Sequence, residues 1–348
     1  MDQPTLALLN GHWAAAEGMN RILVIRGGAI GDFILTLPTL KALREAYPDA
    51  HIEILGYKHI AAVAENRFYA QAVRSIEYGP LSGFFAANSE LSAELAGYFA
   101  SFDLIISYLY DPDRIFESNL RRCGVENLVR GPAKIVETGG HAARQLARPI
   151  EELGIRVVDL AEKIFLSEED REFARKFLKD SSQPLIAIHP GSGSKEKNWP
   201  LQNWIELFST EHWHIEKRPS LFVVSGEADK EQSAHLEHTW KNQEIRFAKN
   251  LPLSHLAGAL EHSIFIGHDS GISHVAAAAG ANCILLFGPT NPNVWAPRNE
   301  NVEVLRARSG NVNDLETAVV QAALTEALHA DSKLVNRGLQ QDPEFFSP

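Results

Sequence analysis

Four glycine-rich segments of the chain place carboxylates, hydroxyls and lysine in patterns that suit a phosphorylated ligand. Glycines let the backbone turn tightly and approach a ligand, while N–H groups at the start of a helix attract anions. Each segment also has a purely structural interpretation, as a helix cap, a solvated loop or a turn. The segments are Arg26-Gly27-Gly28-Ala29-Ile30-Gly31-Asp32, His189-Pro190-Gly191-Ser192-Gly193-Ser194, Gly267-His268-Asp269-Ser270-Gly271-Ile272-Ser273-His274 and Phe287-Gly288-Pro289-Thr290-Asn291-Pro292.

The first segment places a carboxylate where a predicted strand passes into a helix. Asp32 falls near the helix start, where a negative charge is favoured and where capping is the commonest role. A dinucleotide-binding fingerprint, Gly-x-Gly-x-x-Gly, needs glycine at the position that Arg26 occupies. The segment therefore offers a cap or a functional carboxylate and departs from the dinucleotide pattern.

The second and third segments suit an anion. The loop after His189 offers backbone N–H groups and hydroxyls in a small space, and Lys197 adds a positive charge, although a flexible solvated loop fits equally well. Asp269 or Ser270 can cap the alanine-rich helix that follows, which leaves the N–H groups of its first turn exposed. His274, further along that helix, is also compatible with a packed core histidine.

Strands and helices that alternate along the chain must position these segments. Alternation of this kind predicts parallel sheets, whose ligands bind beyond the carboxyl ends of the strands. The predicted helices are Asp32–Tyr47, with a kink at Pro38, and residues 91–100, 168–179, 201–208 and 272–279, the last ended by Gly280. The predicted strands are residues 22–25, 52–55, 73–77, 104–107, 185–189, 221–225, 263–266 and 283–287.

A chain of 348 residues exceeds the usual size of one core, so two domains are expected. Ser181-Ser182-Gln183-Pro184 has the composition of a boundary. Met19 stands directly before the first strong strand and is a candidate alternative start. The predicted organisation is an N-terminal extension at 1–20, a Rossmann-like domain at 21–167, a linker helix at 168–184, a second Rossmann-like domain at 185–330 and a tail at 331–348.

Composition excludes several classes of function. A net charge of −11 argues against a nucleic-acid binder, which needs a basic surface. No apolar run approaches the roughly 20 residues that cross a bilayer, and no signal peptide is apparent, so cytoplasmic residence is expected. Cys123 and Cys283 are too few and too distant in sequence for a disulfide framework or a zinc site.

Together and in this order, the segments resemble glycosyltransferase family 9, the family of ADP-heptose:lipopolysaccharide heptosyltransferases. The similarity covers residues 21–66 and most of 185–305. It implies the GT-B fold, an α/β architecture of two facing Rossmann-like domains with a central cleft, the acceptor on the first domain and the donor nucleotide mainly on the second. The matching motifs are Ile25-Arg26 through Gly31-Asp32, His189-Pro190-Gly191, Lys197-x-Trp199-Pro200, Gly267-x-Asp269-Ser270-Gly271 with His274, and Phe287-Gly288-Pro289-Thr290.

The resemblance implies a role for individual residues. Asp32 is the implied general base, and Glu227 matches the acidic residue that holds the donor ribose. The sequence departs from the family at His268, where asparagine is common, and at Asn291, where aspartate is common. The remaining implied donor-binding residues are Ser192 and Gly193 in the phosphate-facing loop, Lys197 on the donor phosphate, and Asp269, Ser270, Gly271 and His274 around the diphosphate and sugar.

The implied reaction is inverting, metal-independent transfer of a sugar, with heptose from ADP-heptose favoured, to a lipopolysaccharide-core or related glycan acceptor. The base takes the proton of the acceptor hydroxyl, while a helix N-terminus and Lys197 offset the charge on the leaving diphosphate, so neither a metal nor a cofactor is expected. Such a protein is cytoplasmic and meets a glycolipid acceptor at the inner-membrane surface. Asp111-Pro112-Asp113 has the letters of a metal-binding motif but is interpreted as a turn.

Three alternatives stay open at this point. A nicotinamide-dependent oxidoreductase fits the alternating elements but not Arg26, and a sugar-nucleotide epimerase fits the same two-domain scaffold. A catalytically silent nucleotide-sugar-binding protein is disfavoured because Asp32 is present. Seven cations between Arg114 and Arg148 suit a phosphorylated acceptor, although the interspersed acidic residues favour an ordinary solvated surface.

Overall fold

A computed structural model of the chain describes residues 8–9, 12–13, 19–209 and 219–341. The chain divides into two compact units, Met1–Ser167 and Glu168–Pro348. Most of the predicted N-terminal extension at 1–20 and the last seven residues of the predicted tail lie outside the described residues. Within those residues, no helix is long and apolar enough to cross a membrane.

The first unit is built around a parallel sheet with the strand order β5-β4-β3-β6-β7, and a separate antiparallel pair, β1 with β2, precedes it. Its elements, in chain order, are β1 (Leu8–Leu9), β2 (His12–Trp13), β3 (Arg21–Arg26), α1 (Ile30–Ile34), α2 (Leu37–Ala46), β4 (His51–Gly56), α3 (Lys58–Ala61), β5 (Ala72–Ser75), α4 (Ala93–Ala100), β6 (Leu104–Ser107), α5 (Ile115–Arg122), β7 (Leu128–Arg130) and α6 (Ala142–Glu151).

The second unit contains a six-stranded parallel sheet with the order β10-β9-β8-β11-β12-β13. Its elements, in chain order, are α7 (Glu168–Phe177), β8 (Leu185–His189), α8 (Leu201–Leu207), β9 (Ser220–Ser225), α9 (Lys230–Thr239), β10 (Arg246–Lys249), α10 (Leu253–Leu260), β11 (Ile264–His268), α11 (Gly271–Ala279), β12 (Asn282–Phe287), α12 (Pro292–Trp295), β13 (Val302–Arg306) and α13 (Thr317–Gln341).

The strands predicted from the sequence are all present, with ends shifted by no more than two residues. Fully buried apolar runs specify the inner strands, as in Ile22–Ile25 and Leu104–Ile106. In the two parallel sheets, the alternation missed three of the described strands, β7, β10 and β13, each at the edge of its sheet. Edge strands are half-exposed and carry more polar side chains, so their sequence signal is weaker.

The single kinked helix predicted over Asp32–Tyr47 is wrong, because the structure has two helices there, α1 and α2. Pro38 lies in the first turn of α2, where its missing N–H costs nothing, rather than in the interior of a helix. The Thr36 N–H donates to the Phe33 carbonyl at 2.9 Å, which closes the first helix early. Proline therefore starts a new helix here.

Helix α7 lies in the second unit and packs on α10. The two helices approach so closely that a Cβ on Gly258 would lie 2.5 Å from the backbone oxygen of Asp170. The core of this unit includes three buried tryptophans, Trp199, Trp204 and Trp240, together with the last helix, α13. Large, rigid side chains thus fill the core of this unit.

Each sheet has one point at which the strand order reverses. From β8 the chain adds β9 and β10 on one side and then returns to place β11, β12 and β13 on the other. In the first unit the reversal falls between β3 and β6. Ligands of open parallel sheets bind outside the carboxyl ends of the strands at such points, so the loops after β3, β6, β8 and β11 are the candidate binding loops.

Candidate functional site

Asp32 lies in the loop and short helix that follow β3, at the reversal point of the first sheet. Its Oδ2 accepts the Ala29 N–H at 2.9 Å, and 36% of its side chain stays exposed. Gly28 has a φ of +99°, and a Cβ there would lie 2.7 Å from Oδ2. Glycine is needed at this position both for the backbone angle and for the approach of the carboxylate. The predicted cap is therefore real, and the carboxylate still reaches solvent.

A buried arginine holds Asp32 from behind. The side chain of Arg26 is 3% exposed, and its guanidinium donates to the Asp32 main-chain oxygen at 3.0 Å and to Oδ1 at 3.3 Å. It also lies over the ring of Tyr108, 5.6 Å from the centroid. Burial lowers the pKa of Arg26, and the carboxylate of Asp32 opposes that shift.

The loop after β6 contains the predicted turn. The Asp111 carboxylate accepts the N–H groups of Phe116 and Glu117 at 3.2 and 2.9 Å, so it serves the start of α5. Tyr108 is buried and donates its hydroxyl to the Leu146 carbonyl at 2.8 Å. Tyr110 is exposed, with the ammonium of Lys134 5.0 Å from its ring centroid. Of the two tyrosines, only Tyr110 can meet a ligand.

The arginines that follow are engaged within their own unit. Arg144 pairs with Glu151 at 2.7 Å, and Arg130 lies 3.7 Å from Glu117. Arg148 donates to the Gly139 carbonyl at 3.1 Å. These contacts agree with the interpretation of the basic stretch as a mixed, solvated surface.

In the second unit, the loops after β8 and β11 meet through an ion pair. Lys197 Nζ lies 2.7 Å from Asp269 Oδ2, although the two residues are 72 positions apart. The lysine side chain is 28% exposed and the aspartate side chain 10%. The structure therefore brings together two residues that the sequence predicted for one site, and it leaves the cation accessible to a ligand.

His268 joins the same two loops from inside the unit. Its Nε2 accepts the main-chain N–H of Trp199 at 2.8 Å, so the neutral ring carries its proton on Nδ1. That nitrogen lies 3.4 Å from the Gly191 carbonyl. The side chain is fully buried against Trp204. Burial, and then the nearby His189, lower the pKa of His268 to about 3. This residue, atypical among the family motifs, therefore supports the site instead of contacting a ligand.

The helix α11 begins at the carboxyl end of β11 and is capped as predicted. Ser270 is the residue before its first turn, and its hydroxyl accepts the Ser273 N–H at 3.4 Å. The first N–H groups of a helix have no partners within it and carry partial positive charge. Gly271, the first residue of this helix, has no side chain to cover them. His274, one turn further on, is buried.

A second buried pair lies beside Ser270. His189, the last residue of β8, has Nδ1 3.4 Å from the Ser270 hydroxyl and Nε2 3.3 Å from Asp229 Oδ2. A Cβ on Gly191 would lie 2.1 Å from the Cβ of Asp229. Glu227, which is exposed, lies two residues before Asp229 at the carboxyl end of β9. The end of β9 thus packs directly under the loop that follows β8.

The other predicted residues of that loop are held by local contacts. The Ser192 hydroxyl bonds to Asn198 Oδ1 at 2.6 Å, and Gly193 has a φ of +73° with open space around it. Gly288, from the fourth segment, lies near the same loop, since a Cβ there would be 3.6 Å from the Glu196 carbonyl oxygen. Three strand-end loops therefore surround Lys197.

Three residues of these sites were not predicted to have a role: Arg26 and His189, which stand in the sequence motifs, and Asp229. Arg26 and His189 share a signal, because each is a polar residue that ends a parallel strand directly after an apolar run. Such a position points to the edge where ligands bind. Asp229 has no comparable signal, since its role depends on a contact with a different strand. Among the described residues, no cluster of three or more His, Cys, Asp or Glu side chains could hold a metal ion.

The family described as glycosyltransferase family 9 (heptosyltransferase) matches residues 133–322. Lipopolysaccharide heptosyltransferase 3 of Escherichia coli is 22% identical over 314 residues, which cover 82% of this chain and 87% of that protein. Lipopolysaccharide heptosyltransferase 2 of Salmonella typhimurium is 22% identical over 332 residues, 83% of this chain and 89% of that protein. Each of these two relatives thus matches more than four fifths of the chain.

Solved structures show the same fold. A glycosyltransferase of family 9 from Veillonella parvula superposes with a TM-score of 0.73 at 21% identity, over 91% of this chain and 100% of that one. The Escherichia coli ADP-heptose lipopolysaccharide heptosyltransferase II gives 0.72 at 17% identity, over 90% and 99%. The Escherichia coli heptosyltransferase WaaC, solved with ADP, gives 0.63 at 17% identity, over 88% and 99%. These likenesses confirm the predicted α/β fold of GT-B type.

Proposed function

Since the chain belongs to glycosyltransferase family 9, the heptosyltransferases, we propose that it transfers heptose from ADP-heptose to a lipopolysaccharide-core or related glycan acceptor, with inversion and without a metal ion. The observation that carries this proposal is the contact between Lys197 and Asp269 beside the open start of α11. That contact places a cation and a carboxylate beside the first N–H groups of a helix, at the reversal point of the sheet.

The donor diphosphate is proposed to bind at the start of α11. Partial positive charge at a helix N-terminus and the ammonium of Lys197 are suited to a diphosphate. Ser192 and Gly193 lie in the neighbouring loop, which follows β8. Glu227 is exposed at the end of β9, where its carboxylate can accept hydrogen bonds from the hydroxyls of a ribose. The relative WaaC was solved with ADP and with ADP-2-deoxy-2-fluoro heptose, which supports an ADP-linked donor here.

The ion pair of Lys197 with Asp269 suggests that the incoming donor replaces an internal contact. The phosphate can replace Asp269 as the partner of the ammonium, and Asp269 is then free to accept hydroxyl groups of the sugar. As the glycosidic bond breaks, negative charge grows on the diphosphate, where Lys197 and the helix start stabilise it. The proposed leaving-group stabilisation therefore needs no metal ion.

Asp32 is proposed as the base that takes the proton of the acceptor hydroxyl. It is partly exposed and oriented by two contacts, from Ala29 and Arg26, so it is available to one hydroxyl in a defined direction. Attack by that hydroxyl on the anomeric carbon, opposite the departing diphosphate, inverts the configuration. An acceptor attached to lipid would be met at the cytoplasmic face of the inner membrane.

A cavity in the first unit is a candidate for part of the acceptor. It has a volume of about 470 Å³ and lies at β4, β5 and α4, lined by Lys58, Arg74, Tyr78, Glu94 and Tyr98 among others. Aromatic faces and charged groups of both signs suit a polar, anionic sugar. Gly56, two residues before Lys58, pairs with Arg26 across β3 and β4, so the strand that leads to Lys58 lies beside the strand that leads to Asp32.

One assay tests both the choice of the nucleotide-sugar donor and the role of Asp32 as the catalytic base. Transfer to purified lipopolysaccharide core is measured with ADP-heptose and with UDP- and GDP-sugars, in the presence of a chelator. Asp32→Asn keeps a hydrogen-bond acceptor for Ala29 and removes the base, so the rate is expected to fall about 100- to 10,000-fold while ADP binding, measured by calorimetry, is unchanged. Asp49→Asn, at an exposed position in the same unit, is the control.

Three results would contradict the proposal. Wild-type turnover by Asp32→Asn would remove the base from the mechanism. A strict requirement for a divalent ion would remove the metal-independent step. Consumption of ADP-heptose without any acceptor would indicate an epimerase instead of a transferase.

A further inference from the structure

We propose that Arg26 is the positioning residue of the catalytic base, and that its buried guanidinium fixes the main chain and the carboxylate of Asp32 together. The inference rests on the proposed function, because it gives Asp32 the role of the base. In the sequence, Arg26 interrupts a dinucleotide-binding pattern and stands in the first motif that resembles glycosyltransferase family 9, but neither observation gives it a role. The structure gives it a task of its own.

The contacts of Arg26 converge on one residue. Nη2 donates to the Asp32 carbonyl oxygen at 3.0 Å and to Oδ1 at 3.3 Å, and Nε donates to the same carbonyl at 3.2 Å. Nε also lies 3.2 Å from Thr36 Oγ1, whose hydroxyl donates to that carbonyl at 2.8 Å. A planar guanidinium can make these contacts at once because its donors are fixed in a fork.

The break between α1 and α2 makes this arrangement available. In a continuous helix the Asp32 carbonyl would accept the Thr36 N–H, but that N–H donates to Phe33 at 2.9 Å. The Asp32 carbonyl is therefore left to the side chains of Arg26 and Thr36. Three donors reach it, and none belongs to the main chain of its own helix.

Burial of the guanidinium calls for an explanation beyond packing. Removing an arginine from water is costly unless it is paired and hydrogen-bonded. Among the described residues, the carboxylate in an ion pair with Arg26 is that of Asp32, at 3.3 Å. Arg44, the other buried arginine of this unit, makes a contrast, since it donates to main-chain carbonyls and to Gln71. Arg44 holds a fold, whereas Arg26 holds a carboxylate.

The consequence for the reaction is a base with a fixed direction. Oδ2 is held by Ala29 and Oδ1 by Arg26, so the side chain cannot turn away, while the exposed edge of the carboxylate remains open to the acceptor hydroxyl. When Asp32 is protonated, Arg26 keeps the carbonyl of Asp32 and the hydroxyl of Thr36 as partners. The buried guanidinium of Arg26 therefore keeps hydrogen-bond partners when the charge of Asp32 changes during turnover.

The experiment compares Arg26→Lys with Arg44→Lys in the full-length protein. Lysine keeps the charge but loses the fork, so Asp32 is less well fixed, and kcat is expected to fall about 10- to 100-fold in Arg26→Lys, the range that follows from a displacement of about 1 Å. ADP affinity by calorimetry and the KM for the donor stay at wild-type values. Arg44→Lys is expected to lower the unfolding temperature without lowering kcat.

A double-variant cycle separates positioning from general support. In the Asp32→Asn background, Arg26→Lys is expected to add less than a twofold loss, because a residue that acts through Asp32 has nothing left to position. A merely structural role would give the same fold-loss in both backgrounds. Thr36→Val, which removes the bridging hydroxyl at nearly equal volume, is the second variant if Arg26→Lys does not fold, and its kcat is expected to fall with unchanged donor KM.

The outcomes distinguish this inference from the proposed function. Loss of activity in Asp32→Asn together with full kcat in Arg26→Lys, or in Thr36→Val if that variant is used, overturns the inference alone. Equal losses of kcat in Arg26→Lys and Arg44→Lys also overturn it. Full activity in Asp32→Asn overturns the base assignment and the inference together.

Discussion

His268 makes the stability of the second unit depend on pH in a way that can be isolated. The residue is fully buried, accepts the Trp199 N–H on Nε2, and has a pKa lowered to about 3, mainly by burial. In the unfolded chain its pKa returns to the ordinary value of 6.5. Below pH 6.5 the unfolded state therefore binds a proton that the folded state does not bind. The free energy of unfolding consequently decreases as the pH decreases.

The size of the effect follows from the two pKa values. At pH 5 the unfolded histidine is almost fully protonated and the folded one is neutral, so the difference of one and a half pH units corresponds to about 2 kcal/mol. The loss continues until the pH approaches the folded value near 3 and then levels off. At pH 7.5 both states are neutral and the residue contributes nothing to the pH dependence.

The perturbation is His268→Asn, which removes the titrating group and keeps a short amide with a donor and an acceptor. Urea unfolding is followed by tryptophan fluorescence at pH 7.5 and pH 5, since Trp199, Trp204 and Trp240 are buried in the second unit. The wild type is expected to lose about 2 kcal/mol more than the variant between the two pH values. His262→Asn, at an exposed histidine of the same unit, is the control and should behave as the wild type.

Equal losses in the wild type and in His268→Asn would refute the reasoning, because they would show that His268 protonates as easily in the folded protein as in the unfolded chain. A change in stability at pH 7.5 would not refute it, since shortening the side chain weakens the contact with Trp199 at every pH.

Two further predictions concern the loop that follows β8. Lys197→Met is expected to raise the KM for the donor about 10- to 100-fold, because a charge-assisted contact with phosphate is lost, whereas Lys195→Met, at an exposed position of the same loop, leaves the KM unchanged in steady-state kinetics. Gly191→Ala is expected to destabilise the second unit by about 1–3 kcal/mol in urea unfolding, since its Cβ would lie 2.1 Å from that of Asp229. Gly226→Ala is its control, because the nearest atom there is 3.6 Å from the added Cβ, and equal losses in the two alanine variants would contradict the steric argument.

The sequence by itself determined the class of fold and the loops of interest. Apolar runs such as Ile22–Ile25 predict buried strands, and their alternation with helices predicts parallel sheets. Glycines at strand ends then mark the places where a ligand can approach. The order of four such loops was enough to indicate the family. These signals are local, so they can be recognised from the sequence alone.

Only the tertiary structure decided which side chains act together. Lys197 and Asp269 are 72 residues apart, and their contact depends on the pairing of β8 with β11. His268 looked like a member of the anion site, but its burial behind the two loops gives it the task of joining them. Burial and long-range pairing decide which partners these side chains have, and neither is encoded at a fixed spacing along the chain.

The same reason applies to the first unit. The sequence placed Asp32 at a helix start, and the capping contact with Ala29 is as local as the prediction required. The partner that holds Asp32 from behind is Arg26, and its position depends on the break before Pro38 and on the ring of Tyr108, in the loop after β6. A carboxylate can thus be located from sequence, whereas the direction in which it is fixed is decided by how the strands pack.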